Sequence, residues 1–160
     1  MKCVAQMPQP AASAPPPVPA GAYTVDKAHT SLVFRLSHIG FSNYTAQFAK
    51  IEASMTFDPE LPEKSSITAT IDPRSLLLPT PPAGFLDSLL GKDWLNATAF
   101  PQITFRSTKV EKTGSNTARI SGELSLHGVK HPVVVQATYS GGYAGHPLDP
   151  HARIGFSVRG

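Results

Sequence analysis

The sequence predicts an all-β antiparallel fold, a sandwich or a closed barrel, interrupted by one short amphipathic helix. Three observations carry that expectation. Apolar and polar residues alternate in short runs along most of the chain beyond Tyr23, which is the two-residue period of half-buried strands. Asp-Pro, Pro and Gly signals separate the runs at fairly regular spacing, as turns do in all-β domains. Only one segment changes to a spacing of three and four. At 160 residues the chain suits one domain with a sizeable core.

The first strand lies within AHTSLVFRLSHIG, residues 28–40. Leu32, Phe34, Leu36 and His38 share one face, and Val33, Arg35 and Ser37 the other. Leu and Phe against Arg and Ser mark a half-buried antiparallel strand. His29 and His38 bracket it, nine positions apart. Nine steps along a strand cover roughly 30 Å, whereas ligands of one zinc lie ~2 Å from it. A continuous strand therefore cannot join the two histidines at one metal, and His38 reads as a rim residue.

From Gln47 to Phe57 a second run places Ile51, Ala53, Met55 and Phe57 on one parity, and Asp58-Pro59 closes it. SITATI, residues 66–71, alternates through Ile67, Ala69 and Ile71 and ends at Asp72-Pro73. Between Gly84 and Asn96 the period shifts: Phe85, Leu86, Leu89, Leu90 and Trp94 form the apolar stripe of a helix. Gly91 inside it costs about 1 kcal/mol relative to alanine. Strands resume with QITFRSTKV (102–110), ARISGELSL (118–126), VVVQATY (133–139) and RIGFSV (153–158). Gly122 marks a bend or bulge, and His127-Gly128 a turn.

Catalytic signals are sparse. The chain has no G-x-S-x-G elbow, H-E-x-x-H, phosphate-binding glycine loop or dinucleotide fingerprint. His127 and His131 have a helical metal spacing, but Gly128 and Pro132 favour a turn there, and His146 and His151 lie in a Gly/Pro-rich loop. Net charge is +3 with a pI of about 9.1. The basic residues are scattered, which argues against nucleic-acid binding. No apolar run approaches the ~18 residues of a membrane helix.

The single cysteine, Cys3, excludes an internal disulfide and a cysteine zinc site. It precedes a stretch with six prolines among the first nineteen residues, a semi-rigid tether covering residues 1–22. A cysteine ahead of such a linker resembles the lipidated start of a mature bacterial lipoprotein; the plain alternative is a free thiol in a tail. A barrel of about eight strands either fills its interior or holds one small ligand, and periodicity alone leaves both readings open.

Specific residues narrow the choice. YTVDKAHTSLVFRLSHIGFSNYTAQF resembles the opening of the YceI-like family through Asp26, His29, Thr30, Phe34, His38, Gly40, Ala46 and Phe48. GKDWLNATAFPQITFRSTKV is similar to its central segment through Trp94, Phe100, Pro101 and Phe105. GELSLHGVKHPV resembles a third element through Gly122, Leu124, His127, Gly128 and Pro132. The blocks fall in family order, over residues 23–160. The chain departs at GFLDSLLGKDW, which lacks the Arg and His of the family's Arg-Asp-x-His-Leu run. It also stops at GFSVRG, ahead of the family's final strand, so the barrel is expected to lack its closing strand.

The resemblance implies a lipocalin-like antiparallel β-barrel carrying a polyisoprenoid or isoprenoid-quinone-type lipid, exported to the periplasm or secreted, with Cys3 as a membrane anchor. No catalytic residue, metal or cofactor is implied. On this reading Phe34, Leu36, Met55, Phe57, Phe85, Leu89, Leu90, Trp94 and Phe105 line the cavity, the helix lies near its mouth, and His38 and Arg35 meet a head group. An exposed edge would invite association, in the simplest case a homodimer. Two rival readings remain: a filled barrel acting through its surface in stress or adhesion, and a metal enzyme using His29, His38 and His127.

Overall fold

The structure, a computed structural model, describes residues 18–160; Cys3 and residues 1–17 of the expected tether lie outside them. In chain order the elements are β1 (Gly21–Thr24), β2 (Leu32–His38), β3 (Ser42–Phe48), β4 (Ile51–Phe57), β5 (Ser66–Ile71), β6 (Leu76–Leu77), α1 (Phe85–Leu90), β7 (Ile103–Lys112), β8 (Thr117–Leu126), β9 (Val129–Tyr143) and β10 (Arg153–Arg159). Seven strands form one sheet in the order β1-β4-β5-β7-β8-β9-β10, and β2-β3-β6 form a second. Every pairing is antiparallel. The all-β antiparallel expectation holds.

The large sheet curls. Phe57 on β4 lies 6.2 Å from the ring of Tyr139 on β9 and 5.7 Å from Phe156 on β10. These strands stand four and five places from β4 in the sheet order, so a flat sheet would hold the rings far apart at ~4.8 Å per strand. The result is a half-barrel. Among the described residues no backbone ladder joins its edges, β1 and β10. Arg153 of β10 instead reaches Asp26, just past β1, at 2.5 Å.

The concave face follows from register. Met55 pairs with Ile67, Ala69 with Phe105, Phe105 with Leu124, and Ile120 with Val135. Side chains directly opposite share a face, so these apolar rows are continuous across the sheet. Their centre is Val110, Ile120 and Ala137, with Ile67, Phe105, Ala118 and Val135 packed around them.

Several boundaries differ from the sequence-based reading. The stretch from Gln47 is not one strand: Phe48 ends β3, Ile51 begins β4, and Ala49 and Lys50 carry the chain from one sheet to the other. The helix ends at Leu90 because Gly91 is extended (φ −71°, ψ 177°), leaving Trp94 beyond it. Beyond Gly91 the chain folds back on α1, with the backbone N–H of Leu95 donating to Leu89 and that of Ala97 to Leu90. Val18 is buried and β1 starts at Gly21, so the end of the stretch read as tether belongs to the folded unit.

The turn at His127-Gly128 is confirmed as a two-residue hairpin. Both residues have positive φ, 53° and 76°, the type I′ geometry that matches strand twist. Pro132, expected in that turn, already lies in β9 opposite Glu123. β10 pairs only with residues 136–143 of β9, so the missing N–H at Pro132 breaks no ladder on that side. The irregularity expected at Gly122 sits across from it, where the β7 register shifts between Ser107 and Lys109.

Candidate apolar binding face

The site residues named from the sequence fall into three groups. Met55, Phe57 and Phe105 lie on the concave face: Phe57 is buried at 9% exposure, while Met55 and Phe105 are half-buried. Phe34, Leu36 and His38 share one face of β2 in the smaller sheet. Phe34 stacks on Phe48 at 5.4 Å, but Leu36 is 58% exposed and His38 is exposed. Burial therefore fades toward the hairpin turn although the alternation continues. In the helical region Leu89 and Leu90 are half-buried, whereas Phe85 and Trp94 are exposed. Arg35 lies on the opposite face of β2 and is exposed.

Four aromatic rings gather where the half-barrel draws together. Tyr23 meets Phe57 edge-on at 6.4 Å, and Phe156 contacts both Phe57 and Tyr139, the latter at 5.4 Å. Tyr23, Tyr139 and Phe156 are not among the site residues expected from the sequence. Tyr139 shares parity with Val135 and Ala137 within VVVQATY, a signal that was available. Burial, then the neighbouring Tyr139, raises the Tyr23 phenol above its ordinary value, and its hydroxyl donates to the Pro19 carbonyl at 2.6 Å.

A polar network closes the seam beside these rings. Asp26 accepts from the Ala28 N–H at 3.0 Å, contacts His29 Nδ1 at 2.9 Å and pairs with Arg153. Arg153 also pairs with Asp149, which contacts His151 Nδ1 at 3.0 Å and accepts from the Tyr143 hydroxyl at 3.2 Å. The His29 contact is the chief cause holding the Asp26 carboxyl below its ordinary value, while Arg153 holds Asp149 far below the usual carboxylate range. Such groups stabilise the fold above their unfolded-state pKa of about 4 and lose that contribution as pH falls toward the folded-state value. Wild-type melting temperature should therefore fall below about pH 4. Arg153→Met, lacking the cation both carboxylates share, should melt lower at pH 7 and show a shallower acid slope. Equal slopes from pH-resolved thermal melts would remove the network from the acid response.

The residues behind the resemblance mostly build turns and contacts. Asp26 caps the loop after β1, its backbone carbonyl also accepting from the Thr30 hydroxyl at 2.7 Å. Phe100 packs edge-on against His127 at 4.9 Å, which joins the second block to the third. His127 thus abuts an aromatic ring at a turn, His29 sits in the capped loop and His38 ends β2. Among the described residues no group of three or more His, Cys, Asp or Glu is placed to hold a metal ion. Two clefts of ≈290 and ≈280 Å³ include Glu52 and Lys50 in their walls. Their walls are mostly polar and include none of Met55, Phe57 and Phe105.

Known proteins place this architecture. The YceI-like domain matches residues 23–160. A UPF0312 protein of Pseudomonas savastanoi pv. phaseolicola is 36% identical over 121 residues, covering 74% of this chain and 62% of its own length. The chain thus spans about three fifths of that curated relative. One from Vibrio cholerae is 31% identical, covering 84% and 70%. Neither is named as an enzyme. Among solved structures, Burkholderia cenocepacia BcnA superposes with a TM-score of 0.66 at 31% identity, over 73% of this chain and 72% of that one. The Campylobacter jejuni YCEI protein gives 0.63 at 30% identity, over 85% and 77%. Shared sequence blocks, a curled antiparallel sheet and these matches agree: the chain belongs to the YceI-like family.

Proposed function

We propose that the concave face binds the apolar chain of a lipid, of polyisoprenoid or isoprenoid-quinone type, for transport or sequestration in an exported protein. The observation that carries this reading is the incomplete filling of that face. Around its buried centre Met55 and Phe105 stay half-buried, and Phe156 and Val158 on β10 are 38% and 54% exposed. Val158 pairs with buried Ala137, so it belongs to the same face. An apolar surface left this open gains about 0.8 kcal/mol for each ligand methylene it removes from water. An isoprenoid chain would lie along the apolar rows, and the aromatic cluster of Tyr23, Phe57, Tyr139 and Phe156 would cap one end.

The test is native mass spectrometry of protein expressed in a bacterial host, followed by organic extraction. The expected result is an adduct that extracts as an isoprenoid. Val158→Asp should reduce the loaded fraction at least tenfold at unchanged melting temperature, because a carboxylate facing an apolar chain is left unpaired. A bare mass for the wild type would instead favour a barrel acting through its outer surface.

A further inference from the structure

The β2–β3 hairpin carries its apolar residues in the wrong place for a core. Phe41 is 91% exposed, Ile39 74% and Leu36 58%, so three large side chains within six positions face solvent around one turn. The turn itself is strained. Ile39 adopts φ 55° and Gly40 φ 78°, with the Phe41 N–H donating to the His38 carbonyl at 3.1 Å. Glycine or asparagine takes such a position readily, whereas a β-branched residue there is a genuine outlier. An outlier of this kind at an exposed, bulky residue motivates a role outside the fold.

Charge is distributed consistently. No Asp or Glu occurs from Lys27 to Ile51, and the only full charge within β2, the turn and β3 is the cation Arg35. Beside the hairpin, the Tyr44 hydroxyl donates to the Pro79 carbonyl at 3.4 Å. This brings alongside a segment, Ser75 to Leu86, with no charged residue and with Leu77 49% and Phe85 38% exposed.

We propose that this hairpin tip docks on an anionic phospholipid bilayer, with Phe41 and Ile39 entering the headgroup layer. Aromatic and aliphatic side chains on a convex turn suit a soft interface into which they can sink. A protein partner is disfavoured by area, because three side chains on a tip fall well short of the ~800 Å² each partner contributes to a stable interface. The absence of carboxylates removes repulsion from acidic headgroups, and Arg35 adds attraction. Docking here is separate from what the concave face holds, since the tip residues lie outside it.

Flotation with vesicles of phosphatidylglycerol and phosphatidylethanolamine, against phosphatidylcholine vesicles, tests it. Wild type should float with the anionic vesicles. Phe41→Ser should lower the bound fraction about tenfold with melting temperature unchanged, because the ring makes no buried contact. Ile39→Asn separates the proposal from simple misfolding: asparagine relieves the left-handed backbone, so thermal stability should rise while vesicle binding falls. Val158→Asp, which targets the concave face, should float like wild type, so failure of lipid loading and failure of docking are read independently. Wild type that does not float overturns the proposal, as do tip variants that float equally well. So does a dimer by light scattering that Phe41→Ser dissociates, which would assign the tip to a second copy.

Discussion

Phe57→Ala should be the most damaging conservative truncation in the protein, lowering stability by roughly 3 kcal/mol and melting temperature by about 10 °C. Phe57 is 9% exposed and touches Tyr23, Tyr139 and Phe156. Those rings come from β1, β9 and β10, so the phenyl group fills the space where distant parts of one sheet converge. Alanine leaves a cavity there that the sheet can collapse only by changing its curl. Aromatic pairing adds to the loss beyond buried area. Phe57→Leu, which keeps most of the volume, should recover more than half of it. Denaturant melts of both variants decide the matter: equal and small costs would show that the half-barrel holds its curvature without this ring, by its backbone and by the Arg153–Asp26 pair alone.

The second large effect is expected at Gly122, where Gly122→Val should cost about 3 kcal/mol by overpacking. A Cβ built on Gly122 would sit 2.4 Å from the Phe105 ring and 2.6 Å from the Arg106 carbonyl oxygen. The ring can turn aside, but the carbonyl belongs to the ladder beside the β7 bulge and cannot. The smaller Gly122→Ala should cost about 2 kcal/mol. Combined with Phe105→Leu it should cost less than the sum of the single changes, since removing the ring removes part of the clash. Strictly additive costs would mean that the backbone oxygen, and not Phe105, is the obstacle. The same geometry explains why a glycine stands in the third block of the family resemblance.

How much of this was readable beforehand varied with the element. SITATI was placed from Ser66 to Ile71, as β5 is observed, because alternation and flanking Pro signals agree there. β8, β10 and the His127-Gly128 turn are legible in the same way, whereas β9 runs from Val129 to Tyr143 and exceeds VVVQATY at both ends. The β2–β3 hairpin was missed as a hairpin, because Ile39-Gly40 does not resemble the Asn-Gly or Asp-Gly turns that announce a type I′ geometry. α1 is shorter than its pattern, since Trp94 continues the three-four spacing beyond Gly91 while the backbone does not. Of the residues named for the binding face, Met55, Phe57 and Phe105 share the concave sheet face, whereas Leu36, His38 and Trp94 kept the right periodicity but lie exposed.

By itself the sequence determined the antiparallel all-β class, most strand positions, the family and the parity that sends Met55, Phe57 and Phe105 to one face. These are local properties, because a two-residue period is written in adjacent residues. Only the tertiary structure decided which faces meet: that β4 approaches β9 and β10 across the curl, that Asp26 finds Arg153 across an unpaired seam, and that the β2–β3 tip is left in solvent. Such contacts depend on the accumulated twist of a whole sheet and on side chains distant in the chain, 127 positions apart for Asp26 and Arg153, which no short window of sequence contains.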